Sequence, residues 1–355
     1  MDHKRVLVIA TAELYLAGIT TVLVDIANCS IDFCQLSFAL AESGDPTIID
    51  QLKKMGTVYE LPSRKHHLLL YLCALRKVMK QGNYDIVYIH GNSATMAFDL
   101  SVAFLCKIPK RITHCHSCAP QPRLKQMTLK KVLNILVTNP VACSSASGNM
   151  LYNKNFIEIH NCVECNQFRY SEEKRQKMRR QLSISEDSFV VGHIGRFSKE
   201  KNQLRLISIF ANILKECPNS FLILCGEGET LKECKDIVHT RYLQNQVLFT
   251  GEVNNPEDYY SAMDVFVLPS FFEGFPLVGV EAQANGLPCV FSDTITREIQ
   301  ITSNCHFMSL NSDDFEWAKT ITHLHAENRS HAAEIVSKAG YDRETMKGQV
   351  LLLYD

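Results

Sequence analysis

The segment Pro269-Ser270-Phe271-Phe272-Glu273-Gly274-Phe275-Pro276-Leu277-Val278-Gly279-Val280-Glu281-Ala282 joins two carboxylates to what reads as the start of a helix. A strand ends at Leu268, a glycine-containing loop follows, and Pro276 falls where the first turn of a helix tolerates proline. The helix then runs on through Asn285. Such a turn aims the backbone N–H groups of residues 277–279 outward, where a phosphate can accept them. Glu273 precedes the helix and Glu281 lies just over one turn inside it, so both reach one ligand from different heights. Beside a phosphate, carboxylates serve as acceptors for hydroxyl groups, those of a sugar or a ribose. Taken alone, the same residues also read as a charge complementing the helix dipole and a plain loop charge.

A second loop, Gly195-Arg196-Phe197-Ser198-Lys199-Glu200-Lys201-Asn202, lies between a strand ending at Ile194 and a helix beginning near Gln203. Glycine lets the backbone approach a ligand closely, and Arg196 and Lys201 set two cations beside a helix N-terminus. A diphosphate fits this arrangement; a solvated basic loop is the other reading.

The elements that must position these loops recur along the chain. Short apolar strands at Arg5–Ala10, Phe33–Leu40, Tyr84–His90, Arg111–His114 and Val141–Cys143 alternate with helical stretches at Ile19–Ala27, His66–Lys80 and Leu124–Val137. A charged run, Ser171–Gln181, reads as a surface helix and marks a break. The alternation then restarts with strands at Phe189–Ile194, Phe221–Cys225, Val247–Thr250, Val265–Leu268 and Cys289–Phe291, and helices near Gln203–Lys215, Thr230–Thr240 and Leu277–Asn285. Two doubly wound α/β domains of Rossmann-like form follow from this pattern, residues 1–165 and 166–342, with ligands expected beyond the carboxyl ends of the strands.

At 355 residues, with 46% hydrophobic and 21% charged content, the chain has the size and composition of a two-domain globular protein. No apolar run is long enough to span a bilayer and the N-terminus lacks signal-peptide features, so the chain is expected to stay in the cytoplasm. Its 14 cysteines are scattered over strands and helices and read as reduced, packed thiols. Cys115-x-x-Cys118 and Cys162-x-x-Cys165, with His114 and His116 nearby, have metal-ligand spacing, but zinc ribbons pair such elements over a shorter, loop-rich gap, and no metal is expected. Asp313-Asp314 lies away from the motifs and offers no divalent-ion site. Residues 1–163 carry 17 Lys and Arg against 11 Asp and Glu, and the remainder 20 against 27. No acidic residue lies between Leu100 and Ile157, where Lys107, Lys110, Arg111, Arg123, Lys125, Lys130, Lys131 and Lys154 fall. That stretch is expected to attract an anionic membrane surface; a solvated basic face is the other reading. Nucleic acid fits poorly, because no aromatic-basic motif accompanies the charge.

Together the loops resemble the retaining glycosyltransferases of family 4, which have the GT-B fold of two Rossmann-like domains facing a cleft. The family's element of a Glu, seven residues and a second Glu within P-S-x-x-E-G-F-P-L is matched without a gap by Glu273 to Glu281. Gly195 to Asn202 resembles its phosphate loop, Cys225-Gly226-Glu227-Gly228 its glycine turn, and Gly251-Glu252-Val253 its loop beside the nucleotide base. Leu16-Ala17-Gly18-Ile19 resembles the glycine turn facing the donor phosphates, with Ala17 where a second glycine is common. His114-Cys115-His116-Ser117 is similar to the H-x-H-[NS] element of exopolysaccharide and capsule enzymes, whose histidine faces the transferred sugar; His116 is favoured over His114 because it lies nearer the strand end. Ala142-Cys143-Ser144 is similar to a polar strand end, making Ser144 a further candidate. Asn161-Cys162-Val163-Glu164 stands where N-G-[IV]-D is common, with Cys162 in place of glycine. In similar chains the last helix, here residues 343–355, crosses back to complete the first domain, and the same is expected of this one.

The resemblance implies a metal-independent, retaining hexosyl transfer from a nucleotide-diphosphate sugar, a UDP-sugar in the first instance, to a growing cell-surface polysaccharide or lipid-linked saccharide. No cofactor is required beyond that co-substrate. In this scheme Arg196 and Lys201 stabilise the leaving diphosphate, Glu273 holds sugar hydroxyls, Glu281 holds the ribose, and His116 orients the sugar. Gly18, Gly195, Gly226, Glu252, Val253, Gly274, Phe275, Pro276, Leu277 and Val278 complete the donor site. Two other functions share the architecture: a nucleotide-sugar epimerase, which needs no acceptor, and a non-catalytic nucleotide-sugar binding subunit.

Overall fold

The computed structural model describes residues 3–15, 18–116, 123–273, 275–326 and 328–355. The chain divides into two compact units, Met1–Cys162 with Arg343–Asp355, and Val163–Asp342. The division falls after Cys162, where the sequence suggests 165. In both units a parallel sheet carries helices on its two faces.

The first unit runs β1 (Lys4–Ala10), α1 (Gly18–Ser30), β2 (Cys34–Leu40), α2 (Pro46–Met55), β3 (Thr57–Glu60), α3 (Leu68–Gly82), β4 (Ile86–Gly91), α4 (Ala97–Leu105), β5 (Lys110–Cys115), α5 (Arg123–Leu136), β6 (Asn139–Ala142), α6 (Ser145–Leu151) and β7 (Ile157–Glu158). Its strand order is β3-β2-β1-β4-β5-β6-β7, and the direction of winding reverses between β1 and β4. Local chemistry sets the element ends. Asp45 caps α2 by accepting from the Thr47 amide, with Pro46 inside the first turn.

The second unit runs α7 (Glu172–Gln181), β8 (Phe189–Ile194), α8 (Gln203–Glu216), β9 (Ser220–Cys225), α9 (Leu231–Thr240), β10 (Val247–Gly251), α10 (Pro256–Ala262), β11 (Val265–Leu268), α11 (Leu277–Ala284), β12 (Cys289–Ser292), β13 (Cys305–Met308), α12 (Asp314–Thr322) and α13 (Ala332–Val336). Its order is β10-β9-β8-β11-β12-β13, so β8 and β11 flank the switch point. In parallel sheets all the strand-to-helix loops leave from one edge, and the switch point is where two of them part to leave a crevice. The loops after β8 and β11 are the two singled out by their chemistry.

A last helix, α14 (Arg343–Tyr354), returns to the first unit. Met346, Val350, Leu353 and Tyr354 bury against Val22, Ile26 and Cys29 of α1, each side chain contributing about 1.5–3 kcal/mol of gross hydrophobic stabilisation. The Lys4 ammonium donates to the Tyr354 carbonyl at 2.7 Å.

The charged run 171–181 is a helix, as its composition suggests, but not merely a surface one. Arg179 is wholly buried. Its guanidinium pairs with Asp264 at 2.8 Å and donates to the carbonyls of Ala262, Ser185, Glu186 and Ser188 at 2.9–3.1 Å. Arg175, one turn earlier, reaches the other oxygen of Asp264 at 2.7 Å. Composition alone hides this, because a helix of arginines and glutamates shows no apolar stripe to mark its inner face. Removing Arg179 leaves Asp264 to Arg175 alone among the cations and takes the donor from four carbonyls, a loss of the order of a broken buried ion pair, about 3–5 kcal/mol. Arg179→Leu is therefore expected to lower unfolding free energy in urea by about that amount, and Arg180→Leu, at an exposed position, to change it by less than about 0.5 kcal/mol.

Candidate functional site

In the second unit the loops after β8 and β11 are bound to each other. The Phe271 amide donates to the Glu200 carbonyl at 2.7 Å, and the Asn202 side chain donates to the Pro269 carbonyl at 3.0 Å. Asn202 holds φ at 59°, a left-handed turn that asparagine tolerates and that starts α8. Across this seam the Lys201 ammonium meets both oxygens of Glu273 at 2.7 and 2.8 Å, and Ser270 Oγ donates to Glu273 at 2.8 Å. The sequence assigns Lys201 to phosphate and Glu273 to hydroxyls; the structure places them in contact. Arg196 projects from the same loop and is exposed.

Gly195 needs its hydrogen side chain for neither backbone nor packing. Its φ lies outside the left-handed region, and an added Cβ would come no closer than 3.4 Å to a neighbour, His193 Nε2. Gly226 is different. Its φ is +132°, and a Cβ there would stand 2.2 Å from the Gly195 carbonyl, so this glycine lets the loop after β9 pass against the loop after β8. That contact continues through the Phe197 amide, which donates to the Glu227 carbonyl at 2.8 Å.

Glu281 lies on α11, partly buried, and accepts from the Tyr260 hydroxyl at 2.8 Å. Burial raises its carboxyl to about 7, against the downward pull of the Tyr260 hydrogen bond. The sequence reading missed Tyr260, whose position on α10 carries no local signal of what it faces. Of the three amides expected to meet a ligand, that of Gly279 instead closes the first turn of α11 by donating to the Pro276 carbonyl at 2.9 Å. Pro276 is buried, Leu277 and Val278 partly so, and the Phe275 ring stacks on Tyr341 with centroids 5.6 Å apart. Gly274 lies outside the described residues. Glu252 is exposed after β10, while Val253 packs against the core. Asp313 caps α12 and Asp314 pairs with Arg205, so both are spent.

In the first unit Gly18 opens α1, while Leu16, Ala17, Ser117 and Cys118 lie outside the described residues. His114 on β5 is fully buried and His116, just past the strand, is 8% exposed. Both share a face with His90 of β4, which the sequence reading missed although it sits in register with His114. The three rings nest with centroids 4.1–5.5 Å apart, and His90 Nδ1 lies 3.0 Å from His116 Nε2. Burial keeps all three neutral, His116 down to about 3. Ser144 caps α6 in a reciprocal capping box with Ser147. Cys162 has no positive φ, so its glycine-like position needs none. Cys162 and Cys165 pack into the cores of different units and Cys115 packs in a third cluster, while Cys118 lies outside the described residues.

Half of the eight cations of the basic stretch are spent on backbone carbonyls. Lys110 donates to the Leu353 carbonyl, Arg111 to those of Leu136, Ile108 and Pro109, Lys130 to Met150 and Lys154 to Val137, all within 2.7–3.1 Å. Cations thus satisfy carbonyls at helix ends. Lys107 and Lys131 remain exposed, and the side chains of Arg123 and Lys125 are not described.

Residues 174–341 match the family described as Glycosyl transferases group 1. The second unit is a group 1 glycosyltransferase domain. The chain carrying it is a glycosyltransferase of the GT-B architecture. It is 27% identical over 336 residues to the putative glycosyltransferase EpsF of Bacillus subtilis, covering 89% of this chain and 87% of that protein. Over 238 residues, 62% of this chain and 61% of the relative, it is 28% identical to the UDP-Gal:alpha-D-GlcNAc-diphosphoundecaprenol alpha-1,3-galactosyltransferase of Escherichia coli. Among solved structures it resembles Anabaena HepE in complex with UDP, with a TM-score of 0.80 at 22% identity over 98% of both chains.

The raised Glu281 carboxyl has a consequence for stability. An acid whose folded-state value, about 7, exceeds its ordinary 4.5 destabilises the fold progressively as pH rises through that window. Glu281→Gln, which retains an acceptor for Tyr260, should match the wild type in thermal melts near pH 4.5 and exceed it above pH 8, by up to about 3 kcal/mol.

Proposed function

We propose that this glycosyltransferase moves a sugar from a UDP-sugar to a saccharide or lipid-linked saccharide, with retention of anomeric configuration and without a divalent metal. The observation that carries the reading is the seam at the switch point, where Arg196, Lys201 and Glu273 come from two adjoining loops of one sheet and Glu281 from the helix that follows the second. The UDP bound by HepE supports the choice of nucleotide.

A donor diphosphate arriving at this seam would meet Arg196 and share Lys201 with Glu273. The anomeric carbon–oxygen bond breaks as the acceptor oxygen bonds to the same face, and the departing phosphate takes the acceptor's proton. Negative charge grows on that phosphate, where the two cations and the start of α11 act on it. They carry the charge that a divalent ion would otherwise offset. Glu273 is then free to accept sugar hydroxyls, and Glu281 accepts those of the ribose. Gly195, required by neither φ nor packing, leaves room for the phosphates. His116 is the residue to which the resemblance assigns the orientation of the transferred sugar.

Acceptor recognition falls to the first unit. A cavity of about 660 Å³ opens beyond β1, β2 and β3, lined by Thr11, Glu13, Tyr15, Glu42, Arg64 and Phe98 among others. Carboxylates and hydroxyls beside half-exposed aromatic rings suit a saccharide. The lipid-linked substrate named for the Escherichia coli relative makes a membrane-borne acceptor the favoured form. Exposed Phe104 and Leu105 on α4 and Met127 and Ile135 on α5, with Lys107 and Lys131, support peripheral contact with an anionic leaflet.

Incubation with a panel of nucleotide-sugars, with and without membrane lipid extract, tests the reaction. A transferred product retaining the donor's anomeric configuration is expected; epimerised donor without acceptor, or binding without turnover, would identify a rival function. Arg196→Ala should lower kcat about 10²–10³-fold, and Glu281→Ala should weaken donor binding about 10–100-fold. For the membrane, sedimentation with anionic vesicles at low salt should carry the wild type down. A Leu105→Glu/Ile135→Glu variant should remain in the supernatant.

A further inference from the structure

The nested histidines of the first unit leave lone pairs that no group among the described residues meets. His90 Nδ1 bonds His116 Nε2, and His114 Nδ1 meets the Tyr88 hydroxyl, both at 3.0 Å. The other three ring nitrogens, His90 Nε2, His114 Nε2 and His116 Nδ1, are buried without a hydrogen-bond partner among the described residues. Each neutral ring brings one N–H and one lone pair. The His90–His116 bond uses one of each, and the Tyr88 hydroxyl meets one more nitrogen. At least one buried lone pair and one buried N–H therefore stay unsatisfied, at about 1–3 kcal/mol each.

One ring nitrogen from each histidine lies within 4.8 Å of the other two. We infer that His90, His114 and His116 form a binding site for a divalent transition-metal ion of the zinc class. Three neutral imidazoles supply three lone pairs, so the ion binds without releasing a proton. The shared hydrogen of the His90–His116 pair moves to an outer nitrogen as the metal takes its place. His114 can then keep Nδ1–H directed at the Tyr88 oxygen, the kind of outer contact that fixes a ligating ring. Imidazole donors suit zinc, nickel and copper rather than magnesium or calcium. Three such ligands leave a fourth position open, as in zinc sites that keep a water. His116, the one of the three residues with residual exposure, marks the side from which the ion enters.

The site does not depend on the proposed transfer chemistry. If His116 does orient the sugar, an ion here competes for it, and zinc becomes an inhibitor of an enzyme that needs no metal.

Full-length protein, stripped with chelator and dialysed against micromolar Zn²⁺, should retain one zinc per chain. X-ray absorption of the zinc-loaded wild type should show nitrogen scatterers at about 2.0–2.1 Å with imidazole multiple scattering and no sulfur near about 2.3 Å. This reading needs no variant and so survives any folding defect. His90→Gln and His116→Gln, checked by circular dichroism, should each weaken zinc binding at least about 100-fold. Sulfur in the first coordination sphere, no stoichiometric zinc in the wild type, or unchanged affinity in a folded His90→Gln variant would overturn the assignment.

Discussion

The second unit's site depends on how closely three strand ends approach one another along one edge of a parallel sheet. Gly226, with its positive φ, admits the loop after β9 against the Gly195 carbonyl, and backbone bonds through Phe197 hold it there. On the other side Asn202 and Phe271 bind the loop after β8 to the loop after β11. Held between these seams, Lys201 and Glu273 have nowhere to go but toward each other. Their ion pair neutralises the crevice. A partly buried pair of this kind adds little to net stability, because desolvation offsets much of its attraction, but it fixes the two side chains relative to each other.

Desolvation acts in opposite directions on the acids and bases of the two units. It raises the Glu281 carboxyl toward neutrality and keeps His90, His114, His116 and His193 uncharged. The polar interior is thus rich in hydrogen-bonding atoms and poor in charge. Arg179 and Arg329 are buried charges, and each is surrounded by backbone carbonyls that its fork of donors can satisfy. The same logic thins the basic stretch of the first unit. Several of its cations are turned inward to helix-end carbonyls, so a charge count along the sequence overstates the field presented to solvent.

Much of the fold was legible because parallel strands buried on both faces read as short continuous apolar runs. Phe189–Ile194 and Val265–Leu268 agree with the structure to the residue. Elements without such a run were missed: α4 is apolar almost throughout, α10 is short and polar, and edge strand β13 is interrupted by His306. No periodicity separates those from loop or core. The inward face of α7 was equally hidden, since Arg179 is buried through its hydrogen bonds and not through hydrophobicity.

The residue types at the two loops, and their place after strands and before helices, were determined by the sequence alone. Glycine, proline and charged side chains at those spacings constrain local backbone and chemistry whatever surrounds them. Only the tertiary structure decided which of them meet. Lys201 and Glu273 lie 72 residues apart, Tyr260 and Glu281 21, and His90 and His116 26; each contact exists because sheet order makes their strands or loops neighbours. The protonation states of Glu281 and the histidines were likewise beyond the sequence, because they follow from burial, which is a property of the packed fold.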